Sequence, residues 1–118
     1  MTTATTTATM TANVLAFSCA RFTPDDLAAF ETIAEPKLRD GHWAGVLRES
    51  GREHDRLLVL LPEVDRPVFR FERDGRGRYT LSFNDRSGWY GIGAGSTAAE
   101  CLSIWRSRQR GVAALSVL

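Results

Sequence analysis

Hydrophobic and polar residues alternate most cleanly between Pro67 and Asn84. Phe69 and Phe71 are separated by Arg70, and Glu72 follows. After Asp74-Gly75-Arg76-Gly77, Tyr79, Leu81 and Phe83 are separated by Thr80 and Ser82. Period-two alternation on both sides of a glycine-containing turn predicts a β-hairpin with one apolar and one polar face.

The neighbouring segments extend this pattern. His42–Ser50 reads as a strand, and Gly51–Asp55 as a polar turn. Arg56–Leu61 is apolar after its first residue, which predicts a central strand covered on both faces. Asp85-Arg86-Ser87-Gly88 reads as a turn and Trp89–Ile92 as a short last strand. Upstream, Asn13–Phe22 is a short apolar stretch, either an edge strand or a lead-in packed on the core.

Two helices flank the strands. Thr23-Pro24-Asp25-Asp26 supplies an N-cap, a proline at the first helical position and acids in the first turn. Leu27, Phe30, Ile33, Ala34 and Leu38 recur at helical spacing. Pro36 is expected to end or kink this helix near Ala34–Glu35, with one further turn stopped by Gly41. The second helix opens on Thr97 and Glu100 in a capping-box pattern and carries Ala98, Cys101, Leu102 and Trp105 as an apolar stripe. Arg106, Arg108 and Arg110 suit its C-terminal end, and Gly111 its stop.

Together these elements predict an α+β fold. A four- to five-stranded antiparallel meander carries an N-terminal and a C-terminal helix on one face. The expected core is Leu27, Phe30, Trp43, Leu58, Leu60, Phe69, Phe71, Tyr79, Leu81, Phe83, Leu102 and Trp105.

The 118 residues suffice for one domain with its own core. Residues 1–12 are a Thr/Ala tract with nothing to bury, read as a disordered tail before a single domain over 13–118. Met10 offers an alternative start that would make residues 1–9 dispensable. The final segment, 112–118, is apolar and uncharged.

A net charge of +1 carries no global nucleic-acid or membrane signal, but the charge is divided. Residues 1–65 hold six basic side chains against ten acids, and residues 66–118 hold nine against four. Such a split marks an anionic partner for the second half, or two halves that neutralise each other. Cys19 and Cys101 form neither a disulfide framework nor a zinc motif. As small buried hydrophobes they suit a reducing interior. With no apolar run of membrane-spanning length and no basic signal region, the expected location is cytoplasmic.

Candidate chemistry is sparse. Arg70, Arg73, Arg76, Arg78 and Arg86 cluster on or beside the hairpin. With Trp89 and Tyr90 they form the candidate partner-binding set. Glu72, Asp74 and Asp85 dilute that cluster, and Glu72 is placed to pair with a facing arginine. Gly93, Gly95, Ser96 and Thr97 lead from a strand into a helix start, where free N–H groups can hold an anion. The motif is neither a dinucleotide fingerprint nor a P-loop. Its plainer reading is a flexible turn that uses glycines at positive φ. His54 lies between Glu53 and Asp55, but consecutive residues rarely converge on one ion. No catalytic, metal or cofactor site is assigned.

The expected function is a small non-enzymatic protein-binding or regulatory module with another protein as its partner. The alternatives are a nucleic-acid binder using the hairpin over 68–86 and a small anionic-ligand binder or enzyme using the loop over 91–97. The sequence leaves the oligomeric state open.

Overall fold

The computed structural model describes residues 20–111. The Thr/Ala tract, the lead-in as far as Cys19 and the apolar segment 112–118 lie outside the described residues, as do the side chains beyond Trp105.

Helix α1 spans Pro24–Arg39. Thr23 Oγ1 accepts from Asp26 N at 3.1 Å, and Asp26 Oδ2 accepts from Thr23 N at 2.9 Å, closing a reciprocal capping box. The helix passes through Pro36 instead of ending before it. The last turn is held from the C-terminal side. Pro36 O accepts from Asp40 N at 2.9 Å, and Lys37 O accepts from His42 N at 2.9 Å and Trp43 N at 3.1 Å. Trp43, only 2% exposed, then drops into the core. Anchoring on that indole offsets the bond that proline removes. Gly41, at φ +80°, makes the expected stop.

The strands are β1 (Gly45–Ser50), β2 (His54–Leu60), β3 (Pro67–Asp74), β4 (Tyr79–Asn84) and β5 (Trp89–Gly95). They form one antiparallel sheet in sequence order, so the predicted meander is present in full. Helix α2 (Ala98–Gly111) follows, so Gly111 is its last described residue. β1 starts later than the sequence pattern suggested, because His42 and Trp43 close the α1 C-terminus.

Register settles which residues face the helices. Leu57 pairs with Phe71 and Val59 with Phe69; Phe71 pairs with Leu81, and Phe69 with Phe83. These side chains pack with Phe30, Ile33 and Ala34 of α1 and with Ala98, Cys101, Leu102 and Trp105 of α2. Phe30 lies 5.6 Å from Phe71 and 6.3 Å from Trp105 between ring centroids, so both helices cover one face. Phe22, from the lead-in, stacks on Phe71 at 5.1 Å. Leu27 and Phe83 pack at the core margin.

β2 corrects the expected core. Its buried positions are Asp55, Leu57 and Val59, while Leu58 and Leu60 are half-buried on the opposite face. A continuous apolar run carries no alternation from which to read its phase, and pairing with β3 sets it. No described helix covers the second face of β2.

Candidate functional site

The sheet presents two polar environments, one at an end of its covered face and one across its open face. On the covered face, the end near the hairpin turn is closed by charge. Asp55 is fully buried. Its Oδ1 accepts from Arg48 Nε at 3.1 Å and Ser50 Oγ at 2.7 Å. Its Oδ2 accepts from Arg48 Nη2 at 2.6 Å and Phe22 N at 2.9 Å. Burial raises this carboxyl's pKa. The Arg48 guanidinium, the Phe22 N–H and the Ser50 hydroxyl outweigh burial and hold it below the usual range.

Beside it, Asp26 Oδ2 accepts from Tyr79 Oη at 2.8 Å and from Arg73 Nη1 at 3.4 Å. Burial and the adjacent carboxylate push the Tyr79 phenol up to about 12. Arg73 Nη1 also donates to Arg21 O at 2.6 Å, and Arg21 Nη1 donates to Gly51 O at 2.8 Å. Each carboxylate is thus engaged by the groups that fasten residues 21–23 to the sheet. The arrangement works as a clasp for the chain entering α1.

The open face is built from three cross-strand rows. Glu49, Arg56, Glu72, Thr80 and Ala94 stand opposite one another from β1 to β5, as do Leu47, Leu58, Arg70, Ser82 and Gly91. Gly45 and Leu60 begin the third row, and Asn84 and Trp89 complete it. Arg56 joins Glu49 and Glu72, each at 3.0 Å, so Glu72 does pair with a facing arginine. Arg70 Nε lies 3.5 Å from Glu72 Oε1, and its guanidinium sits 4.6 Å from the Trp89 ring centroid. The four charges balance. Leu47, 53% exposed, with Leu58 and Leu60 gives the β1–β2 side of this face an apolar corner, while Trp89 stands at the opposite edge, on β5.

The candidate arginines do not form one surface. Arg70 lies flat on the open face and Arg73 turns into the clasp. Arg76 and Arg78 flank the hairpin turn, where their backbone N–H groups donate to Asp74 Oδ1. Arg86 sits beyond the other end of β4, about 20 Å away by strand rise. It adopts φ +91° and lines a shallow hollow of about 550 Å³ with Glu63, Val64, Asp65 and Arg66. The adjacent aromatics diverge as strand geometry requires. Trp89 covers Arg70, and Tyr90 is 52% exposed opposite Phe83.

The glycine-rich segment is strand, not a flexible turn: β5 continues to Gly95. Neither Gly93 nor Gly95 has a positive φ. A Cβ on Gly93 would stand 2.7 Å from Cys101 O, and one on Gly95 would stand 2.9 Å from Glu100 Cβ. These glycines let α2 pack directly on β5. At the helix start, Glu100 Oε1 accepts from Ser96 N at 2.9 Å and Ser96 Oγ at 3.2 Å, while Glu100 N donates to Thr97 Oγ1 at 3.1 Å. The Ser96 backbone and hydroxyl bonds hold the Glu100 carboxyl below its usual range. The anion at Ser96 and Thr97 is therefore the chain's own.

Two features escaped the sequence reading. Asp55 was read as part of a turn, although Asp55, Leu57 and Val59 already lie two residues apart on one face. Leu47, Leu58 and Leu60 make the open face more apolar than the hairpin alone implies. Among the described residues no cluster of three or more His, Cys, Asp or Glu side chains could hold a metal ion, and no helix is long and apolar enough to cross a membrane. Comparison with family models, curated proteins and solved structures gave no match.

Proposed function

We propose that this chain is a small, non-enzymatic regulatory module that binds another protein through the open face of its sheet. The observation that carries this reading is that face itself: Leu47, Leu58 and Leu60 on one side and Trp89 on the other flank a charge-balanced ladder with no described helix above them. Apolar patches rimmed by polar groups are characteristic of protein contact surfaces. Asp26 and Asp55 are turned inward into the clasp, and Glu100 is engaged by Ser96 at the start of α2. Cys101 is fully buried, and burial pushes its thiol up to about 12, away from nucleophilic reactivity. A free buried thiol also suits a cytoplasmic setting.

Site-specific photocrosslinking in the native host tests the reading. A photoreactive residue at position 47 should give discrete adducts with a polypeptide, whereas one at the exposed α1 position Glu31 should not. Equal labelling from both positions, or none from position 47, would count against it. So would salt-sensitive retention on DNA or RNA that is lost when Arg76 and Arg78 are replaced by alanine.

A further inference from the structure

We infer that the hollow beyond the end of β4 binds a free α-amino acid in its zwitterionic form, one with an apolar side chain. This site goes beyond the open-face reading and does not depend on it.

The hollow lies between the β2–β3 connection and the β4–β5 turn, at the end of the sheet opposite the clasp. Glu63, Val64, Asp65 and Arg66 come from the first loop and Arg86 from the second. Its volume of about 550 Å³ is one that small ligands commonly occupy.

Unused charge is the first argument. In the clasp and on the open face, opposite charges meet at 2.6–3.5 Å. Around the hollow they do not. The side chains of Glu63, Asp65, Arg66 and Arg86 make no ion pair or hydrogen bond among the described residues. Arg66 is the sharpest case, because its Nε is shut off from solvent and has no partner. Arg70 and Arg73 also have an orphaned Nε, but their guanidiniums are engaged, by Glu72 and Trp89 and by Asp26 and Arg21 O respectively. That of Arg66 is not. A buried donor without an acceptor is costly, and here it lines a hollow able to admit one.

Backbone strain is the second argument. Among the described residues, Glu63 at φ +63° and Arg86 at φ +91° are the two non-glycine residues with left-handed φ, and both line this hollow. Glycine is favoured at such positions, and strained residues that keep a side chain there cluster at ligand sites. These two bring opposite charges to the same place.

Mixed charge selects the ligand class. A simple anion satisfies the guanidiniums and is repelled by the carboxylates, and a simple cation does the reverse. A zwitterion satisfies both, its carboxylate accepting from Arg66 and Arg86 and its ammonium donating to Glu63 and Asp65. Val64, half-buried, gives the ligand side chain an apolar wall. Glu63, Asp65 and Arg86 are exposed, so solvent weakens these contacts and sets a dissociation constant on the order of 1 mM.

NMR titration of the isotope-labelled full chain with L-leucine tests this. The amide resonances of Val64, Asp65, Arg66, Arg86 and Ser87 should shift and saturate, and those of the clasp should not move. N-acetyl-L-leucine lacks the ammonium and L-leucinamide lacks the carboxylate, so each should bind at least about fivefold more weakly. Arg86→Gly should weaken L-leucine binding by a similar factor while holding or raising the thermal midpoint, since glycine relieves the left-handed backbone. Glu63→Gln should narrow the preference for L-leucine over N-acetyl-L-leucine. No saturable shift at roughly ten times the expected constant would overturn the inference. Equal affinity for either singly charged analogue would do the same, because it marks a simple anion or cation site. Unchanged binding by both Arg86→Gly and Glu63→Gln would place the ligand elsewhere and reject this hollow.

Discussion

The two faces of the sheet use the same residue types to opposite effect. On the covered face, Phe69, Phe71, Tyr79 and Leu81 join an aromatic cluster that reaches both helices, and the charges at its end are satisfied by one another. On the open face, Arg70, between Phe69 and Phe71 on β3, and Leu58, between Leu57 and Val59 on β2, remain half-buried. A hydrophobic side chain stabilises a fold only as far as neighbours remove it from water. The contrast therefore separates residues that hold the domain together from residues available to a partner.

The largest test of that contrast compares adjacent strands. Phe71→Ala should cost about 3–5 kcal/mol in chemical denaturation, because the ring contacts Phe22, Phe30 and Tyr79 and leaves a cavity among them. Leu58→Ala should cost about 1–2 kcal/mol, since that side chain is only partly buried. Equal losses would mean that the open face is covered within a single chain.

The hairpin was the most legible part of the sequence for this same reason. Strict alternation at 69–72 and 79–83 announces both the strands and their phase, and the caps at Thr23 and Thr97 announce the helices through local chemistry. Leu57 to Leu60 announces a strand but not its phase, which depends on a partner strand ten or more residues away. Pro36 shows the same limit from the other side: a local rule against helix yielded to Trp43, whose anchoring is a tertiary event. Among candidate sites, proximity in sequence misled. Arg70 and Arg73 differ by one residue in strand parity, and that places one on each face.

Ion pairs give the next test. Asp55 has its pKa depressed by the clasp, so its contribution to stability is complete above the ordinary carboxylate range and is lost as pH falls through the lower folded-state value. Asp55→Asn should lower stability at neutral pH by about 1–3 kcal/mol and flatten the decline of stability in acid. A variant that loses stability at neutral pH but keeps the full acid dependence would show that another carboxylate carries it.

The open-face ladder should give the smallest effect. Arg56 bridges Glu49 and Glu72 at the same 3.0 Å distances a strong pair would show, but Glu49 is largely exposed and all three side chains reach water. Such pairs are worth about 0–1 kcal/mol because solvent screens them and side-chain entropy opposes them. Arg56→Met should therefore change stability by no more than about 1 kcal/mol in dilute solution, and by less as salt is added. A larger cost, insensitive to salt, would mean that the ladder is desolvated within the domain, so Arg56 would report on folding as Asp55 does. Measuring both variants across the same salt series separates the charges that hold the domain together from those that stay in water.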